Sequence, residues 1–289
     1  MSVIGISTDC VCDLPEEYLS KNKIGIIYFY IITNTGRFKD VHEITSENML
    51  EYLDLKNGEA LTVAPDVEEY CEFFRNRLSM CDEVIHICVS RHISQSYESA
   101  TQAVEKLQEL GKRVHVFDSG HLSTGLGHMV IRAVDLRAQG KAVTGILAEL
   151  ERMKRYISTT FITVNADYLY LNKRVSKWVR DICGYLMLHP VLTMKDGRIA
   201  LKRVFIGNYE KAALRYVKGE VKKNQRINKK RAFITHVGCS VRFIGAVKAE
   251  VEKLCHFEEL ISTKASATIS GNCGMGTFGI LYVYDYEGE

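Results

Sequence analysis

Along the first 140 positions, apolar residues fall into short unbroken runs separated by longer stretches with a helical repeat. Val3 to Thr8, Ile24 to Thr33, Glu83 to Ser90 and Val114 to Phe117 are runs of the first kind, rich in β-branched residues, and read as buried strands. Asp13-Leu14-Pro15-Glu16-Glu17 opens a helix, with proline and acids in its first turn. Ser46 to Leu53, Asp66 to Leu78 (entered through Pro65), Ser94 to Leu110 and Thr124 to Gln139 continue the helical series. Strand–helix alternation of this kind predicts a parallel sheet covered on both faces, a three-layer α/β/α arrangement.

The second half reads differently. Ile157 to Val164 and Val191 to Met194 are short strands, the latter ending in the turn Lys195-Asp196-Gly197. A long helix spans Tyr209 to Asn224, then a strand Ala232 to His236, a helix Val241 to Cys255, and strands near Ser266 to Ile269 and Gly279 to Tyr284. Hairpin signals mixed with helices predict a two-layer α/β unit with a mixed or antiparallel sheet. The pattern changes near Arg155, so the expectation is an α/β protein of two domains, 1–155 and 156–289.

Composition sharpens this picture at a few points. The 289 residues are 46% hydrophobic and 25% charged, ordinary for a folded chain. The start runs directly into a strand without a basic leader or cleavage site, and the most apolar run is too short to cross a bilayer. No membrane insertion is expected. The nine cysteines are odd in number and scattered, with one CxC at Cys10 and Cys12 and no zinc spacing. Reduced buried thiols in a cytoplasmic protein are the expectation, with no metal and no cofactor. A redox or metal module on Cys10 and Cys12 is the rival reading.

Net charge is +3, but between Lys195 and Arg231 there are 13 Lys or Arg against Asp196, Glu210 and Glu220. Such a segment is either a solvated helix face or a docking surface for an acidic or phosphate-bearing partner. Aromatics are not interleaved with it, so nucleic acid is not expected.

Candidate chemistry sits at the strand ends, where ligands collect in open parallel sheets. These ends are Ser7-Thr8-Asp9, Ser90-Arg91-His92-Ile93-Ser94-Gln95-Ser96 and Asp118-Ser119-Gly120. Hydroxyls beside helix N-termini suit an anion, although any one of them alone reads as a helix cap. Gly274-Met275-Gly276-Thr277-Phe278-Gly279 matches GxGxxG, but a strand rather than a helix follows, which excludes a dinucleotide fingerprint.

Several segments, taken in order, resemble motifs of the DegV family of bacterial fatty-acid-binding proteins. Thr8 to Leu14 is similar to TDSxxDL, Thr62-Val63-Ala64-Pro65 to TSxPS, and Ile93 to Ala100 to LSGTYxSA. Val116 to Ser119 with Gly125-Leu126-Gly127 resembles DS…GxG, and Leu169 to Val175 the segment ending GGRI, with Arg174 on its arginine. His189-Pro190-Val191-Leu192 with Asp196-Gly197 resembles KPIL…DG, and Asn272 to Gly276 stands where the family has HxGPG. The resemblance implies a long-chain fatty acid held between two domains and no catalysis by this chain alone. It also implies service to a separate fatty-acid kinase that handles acyl phosphate. The implied carboxylate ligands are Thr62, Ser94 and the position of Asn272, with Gln95 and Ser96 assisting. Arg174, Lys202 and Arg203 would face the kinase. Three departures stand out, namely Asn272 for histidine, Gln95 for glycine and Val63 for serine. The alternative is a small-molecule hydrolase or transferase using a strand-end Ser or Cys.

Overall fold

The computed structural model describes residues 3–56, 60–171, 177–178, 180–181, 186–222 and 226–286. Arg174 lies outside them. The first strand, β1 (Ile4–Asp9), is followed by α1 (Glu16–Lys21), β2 (Gly25–Ile27), β3 (Tyr30–Thr33), β4 (Gly36–Lys39), α2 (Ser46–Lys56) and β5 (Leu61–Val63). Then come α3 (Val67–Leu78), β6 (Glu83–Cys88), α4 (Ser96–Lys106), β7 (Val114–Asp118), α5 (Ser123–Ala138) and α6 (Val143–Met153). The remainder is β8 (Ile157–Ile162), α7 (Asp167–Leu171), β9 (Leu188–Lys195), β10 (Arg198–Ile206), α8 (Tyr209–Val221), β11 (Ile227–His236), α9 (Val241–Leu254), β12 (Glu259–Lys264), α10 (Ala267–Cys273) and β13 (Phe278–Tyr284).

Three sheets result. The first is parallel, in the order β2-β1-β6-β7. The second has the order β10-β9-β8-β13-β11-β12 and is antiparallel except for the β11–β12 pair. A small antiparallel sheet, β4-β3-β5, completes the set. The α/β class with one parallel and one mixed sheet agrees with the pattern of the sequence.

Helix α5 joins the two large sheets. Its Leu126, Met129, Val130 and Val134 share one core with Ile6, Ile85 and Ile87 of the parallel sheet and with Phe233 and Leu281 of the mixed sheet. The GxG of the sequence explains how the helix fits so closely. A Cβ on Gly125 would lie 2.1 Å from Thr159 Oγ1, and one on Gly127 would lie 2.9 Å from the Cys12 carbonyl oxygen. Any side chain there would force the layers apart. On the outer face of the parallel sheet, Tyr70, Phe74, Ala100 and Ala103 of α3 and α4 pack on Val84 and Cys88. Helices α8 and α9 cover the outer face of the mixed sheet through Ala212, Tyr216, Val217, Val247 and Val251.

Two expectations of the pattern fail for physical reasons. The run Ile24 to Thr33 is two strands in different sheets, because Phe29 turns inward. Its N–H donates to Cys10 Sγ at 3.2 Å and its carbonyl accepts from Asp40 N at 2.8 Å. Ser266 to Ile269, expected as a strand, begins α10. Ser266 Oγ caps Ile269 N at 3.3 Å, and carboxylates distant in sequence satisfy the preceding N–H groups. The helix α6 and the strand β10 carried no clear signal.

Candidate functional site

Beyond the carboxyl ends of β1 and β6 lies a cavity of about 500 Å³, within the range of small-molecule sites. Thr62, Ser94, Gln95 and Asn272 all line it. Thr62 comes from β5, Ser94 and Gln95 from the loop between β6 and α4, and Asn272 from the last turn of α10. Residues up to 210 apart in sequence therefore converge. The inner wall is apolar, formed by the buried Val11, Phe29, Val89 and Leu122. Arg91, Gln95 and Glu98 stand at the exposed mouth.

Thr62, Ser94 and Asn272 are neutral and oriented by local bonds. Asn272 Nδ2 donates to the Thr268 carbonyl at 2.8 Å, one helical turn back, and more loosely to Thr62 Oγ1 at 3.4 Å. Asn272 thus engages a lone pair of Thr62 and leaves the threonine proton free to turn toward the cavity. Ser94 Oγ accepts from Ser96 N at 3.2 Å, which likewise leaves its own proton available.

Ser96 itself belongs elsewhere. Its hydroxyl is fully buried, donates to Asp9 Oδ2 at 2.7 Å and meets Tyr70 OH at 2.7 Å. Asp9 also accepts from Tyr70 OH at 2.9 Å and from Val89 N at 2.8 Å. This knot fixes the β6–α4 loop that carries Ser94. Asp9, His86 and Cys88 are the described residues close enough together to hold a metal ion. Both Asp9 oxygens are already accepting from protein donors, and burial pushes the Cys88 thiol up, so the cluster favours hydrogen bonding over ligation. Burial also raises Cys10, and Cys12 to about 12, leaving protonated thiols poorly suited to redox or metal chemistry.

Two carboxyls that hold α10 were not among the site residues expected from the sequence. Asp13 Oδ1 accepts from Ser266 N at 2.9 Å and its Oδ2 from Ser123 Oγ at 2.5 Å. Asp40 accepts from Ala267 N at 2.8 Å and Thr268 N at 2.9 Å. Burial raises both groups, Asp13 to about 7, against the opposing pull of these hydrogen bonds. Asp13 lies within the TDSxxDL-like segment; Asp40 had no local signal at all.

Lys202 and Arg203 are outside the cavity, on β10 at the edge of the mixed sheet. Lys202 Nζ is 2.6 Å from the buried Glu220 Oε2, and Arg203 lies 5.8 Å over the Phe205 ring. The β9–β10 turn reaches back to the cavity mouth, where Ser90 Oγ donates to the Gly197 carbonyl at 2.6 Å. Gly197 has φ +75°, and a Cβ there would lie 2.7 Å from the His92 ring, so the turn and the close approach both require glycine. Among the described residues, no helix is long and apolar enough to cross a membrane.

A "DegV domain-containing protein" of Deinococcus radiodurans is 27% identical over 96% of this chain and 97% of its own length. A DegV family protein from Thermus thermophilus, whose structure is described as fatty-acid binding, superposes with a TM-score of 0.85 at 26% identity, covering 98% of this chain and 100% of that one. The Streptococcus pneumoniae fatty acid kinase B3 protein, solved with linoleic acid, has a TM-score of 0.84 at 17% identity, covering 98% and 100%. At that identity the likeness concerns the fold. The family described as "Uncharacterised protein, DegV family" matches residues 3–285. The chain belongs to the DegV family.

Proposed function

We propose that the chain is a carrier for a long-chain fatty acid, working in the cytoplasm without a cofactor or catalysis of its own, and serving a separate fatty-acid kinase. The observation that carries the reading is the layout of the 500 Å³ cavity, with Thr62, Ser94 and Asn272 on its polar side and Val11, Phe29, Val89 and Leu122 behind them. The likeness to the fatty-acid-binding Thermus thermophilus protein supports it.

In this reading the hydroxyls of Thr62 and Ser94 donate to the carboxylate. Asn272 Nδ2 keeps one hydrogen on the Thr268 carbonyl and exchanges its loose bond to Thr62 for one to the ligand. Burying a sixteen-carbon tail contributes on the order of 12 kcal/mol gross at about 0.8 kcal/mol per methylene. Each bond to the charged head group adds about 1.5–3 kcal/mol. The tail therefore supplies most of the affinity and the polar groups set the orientation. An acyl group presented to a kinase needs that orientation, since misplacement by about 1 Å can cost on the order of a hundredfold in rate. The hydrolase alternative is disfavoured by the role of the strand-end Ser94, which accepts a bond from a helix N–H as a capping residue does.

Native mass spectrometry of the purified protein, with extraction and identification of the released lipid, tests the reading. A bound or acquired C16–C18 fatty acid is the expected result. Empty protein that also fails to take up palmitate or oleate refutes it.

A further inference from the structure

A second cavity, of about 440 Å³, has no role in the account above. Leu122, just before α5, lines the fatty-acid cavity, whereas His128, Arg132 and Asp135 of the same helix line this one. The first half of β11 adds Lys229, Lys230 and Arg231. His128 is only 4% exposed. Burial lowers it to about 4, so its ring is neutral at pH 7. Its Nε2 donates to the Leu281 carbonyl at 3.2 Å, which places the single ring proton on that nitrogen. Nδ1 is therefore a bare acceptor. It has no hydrogen-bond partner among the described residues, and it is not sealed off from the cavity that the ring lines.

Donors stand beside this acceptor. The Arg231 guanidinium is close enough that, after burial, its charge also disfavours protonation of His128. The arginine side chain is 15% exposed, and its Nε donates to Glu259 Oε2 at 2.5 Å. Both of its Nη groups are left without a partner among the described residues. Lys229 is exposed and makes no ion pair among them. The other two cations are engaged, Arg132 with Glu149 at 2.6 Å and Lys230 with Asp135 at 3.6 Å. Glu258 also faces the cavity, which thus carries four cations against two acids.

Cations alone would accept any anion, but the Nδ1 lone pair narrows the choice. An oxygen without a proton would repel it and leave it unpaired. The matching ligand brings several acceptors for Arg231 and Lys229 and one donor for His128. A carboxylate has no proton to give at neutral pH. Hydrogen phosphate has three bare oxygens and one P–OH. We infer that this cavity is a second binding site, for phosphate or a soluble phosphate monoester, whose bare oxygens accept from Arg231 and Lys229 and whose P–OH donates to His128 Nδ1. The cavity is in the size range of small-molecule sites, which leaves room for a sugar-sized substituent. This inference is independent of the fatty-acid reading.

Calorimetric titration at pH 7 and constant ionic strength with inorganic phosphate, ribose 5-phosphate and sulfate tests this. Sulfate resembles phosphate in size and charge but lacks the proton. Wild type should bind phosphate or ribose 5-phosphate saturably, and sulfate at least about fivefold more weakly, the effect of one lost hydrogen bond and an unpaired acceptor. Tighter binding of ribose 5-phosphate assigns the site to a monoester, and tighter binding of phosphate assigns it to the free ion. Lys229→Gln, at an exposed position, should weaken phosphate about fivefold or more. His128→Leu should bring phosphate and sulfate to equal affinity. If that variant fails to fold, the wild-type ratio and Lys229→Gln still decide. Equal binding of sulfate and phosphate by wild type overturns the inference. So does phosphate binding unchanged by Lys229→Gln, or the absence of saturable binding of both phosphate compounds at millimolar concentrations. Palmitate binding is read at the other cavity, and neither result bears on the other.

Discussion

Replacing Asp13 with asparagine should stabilise the protein at pH 8 and remove much of its pH sensitivity. The carboxyl is buried at the junction of three segments and raised from 3.8 to about 7, chiefly by desolvation. In the folded protein it therefore retains a proton that the unfolded chain has already released between about pH 4 and pH 7. Stability contributed by that proton is full below the unfolded value and is lost as pH rises through 7. Three pH units at 1.36 kcal/mol each give a total on the order of 4 kcal/mol. Asparagine mimics the neutral form. Its Oδ1 can accept from Ser266 N, its Nδ2 can donate to Ser123 Oγ, and the left-handed backbone at φ 51° suits asparagine well. Urea unfolding of both proteins from pH 5 to pH 8 measures the difference. The variant's advantage should grow by about 1.4 kcal/mol per pH unit up to pH 7 and then level off. A flat difference across this range, or a variant less stable at pH 8, would show that Asp13 is ionised without penalty and that the burial argument is wrong.

Three further substitutions separate the head-group site from its supports. Ser94→Ala should weaken palmitate binding about tenfold or more, the value of one bond to a charged group, and unchanged affinity by calorimetry removes Ser94 from the site. Asn272→His places a titratable cation where a neutral amide now stands. Palmitate should then bind more tightly at pH 5.5 than at pH 8 in the variant, relative to wild type, because imidazole charges below about pH 6.5. Ser96→Ala should cost about 1–3 kcal/mol in thermal or urea unfolding by leaving Asp9 short of a donor. Palmitate affinity of the folded Ser96 variant should fall less than that of Ser94→Ala, because Tyr70 and Val89 N still hold Asp9, and a loss as large as that of Ser94→Ala would place Ser96 in the ligand site instead.

How much of this was legible in the sequence depended on where each element gets its stability. β1 and β6 are buried on both faces and read as apolar runs. Helix α3 announces itself through the Asp66–Glu69 capping box, a wholly local device. Thr62, Ser94 and Asn272 were found through short motifs, and the structure brings them to one cavity. What escaped was held by distant partners. The first N–H groups of α10 are bonded to Asp13 and Asp40, more than 220 residues earlier, so nothing near Ser266 distinguishes a helix from a strand. The split of Ile24 to Thr33 likewise follows from Cys10 and Asp40 taking the polar groups of Phe29.

Three buried carboxyls tie these observations together, and each acts at one remove from the ligand. Asp9 gathers Val89 N, Ser96 and Tyr70, and thereby sets the loop that carries Ser94. Asp40 and Asp13 hold the start of α10, and thereby set Thr268 and Asn272. The two sides of the grip are thus fixed by polar groups on separate segments, while Thr62, Ser94 and Asn272 themselves are neutral. Neutral donors alone would be a weak clamp on a mobile loop. Mounted on elements anchored by buried hydrogen bonds, they lose little freedom on binding, which is where preorganisation gains its affinity. The same anchoring explains why a substitution at Asn272 need not destroy the site. The helix position survives the change of side chain, because Asp13 and Asp40 hold the helix by its backbone.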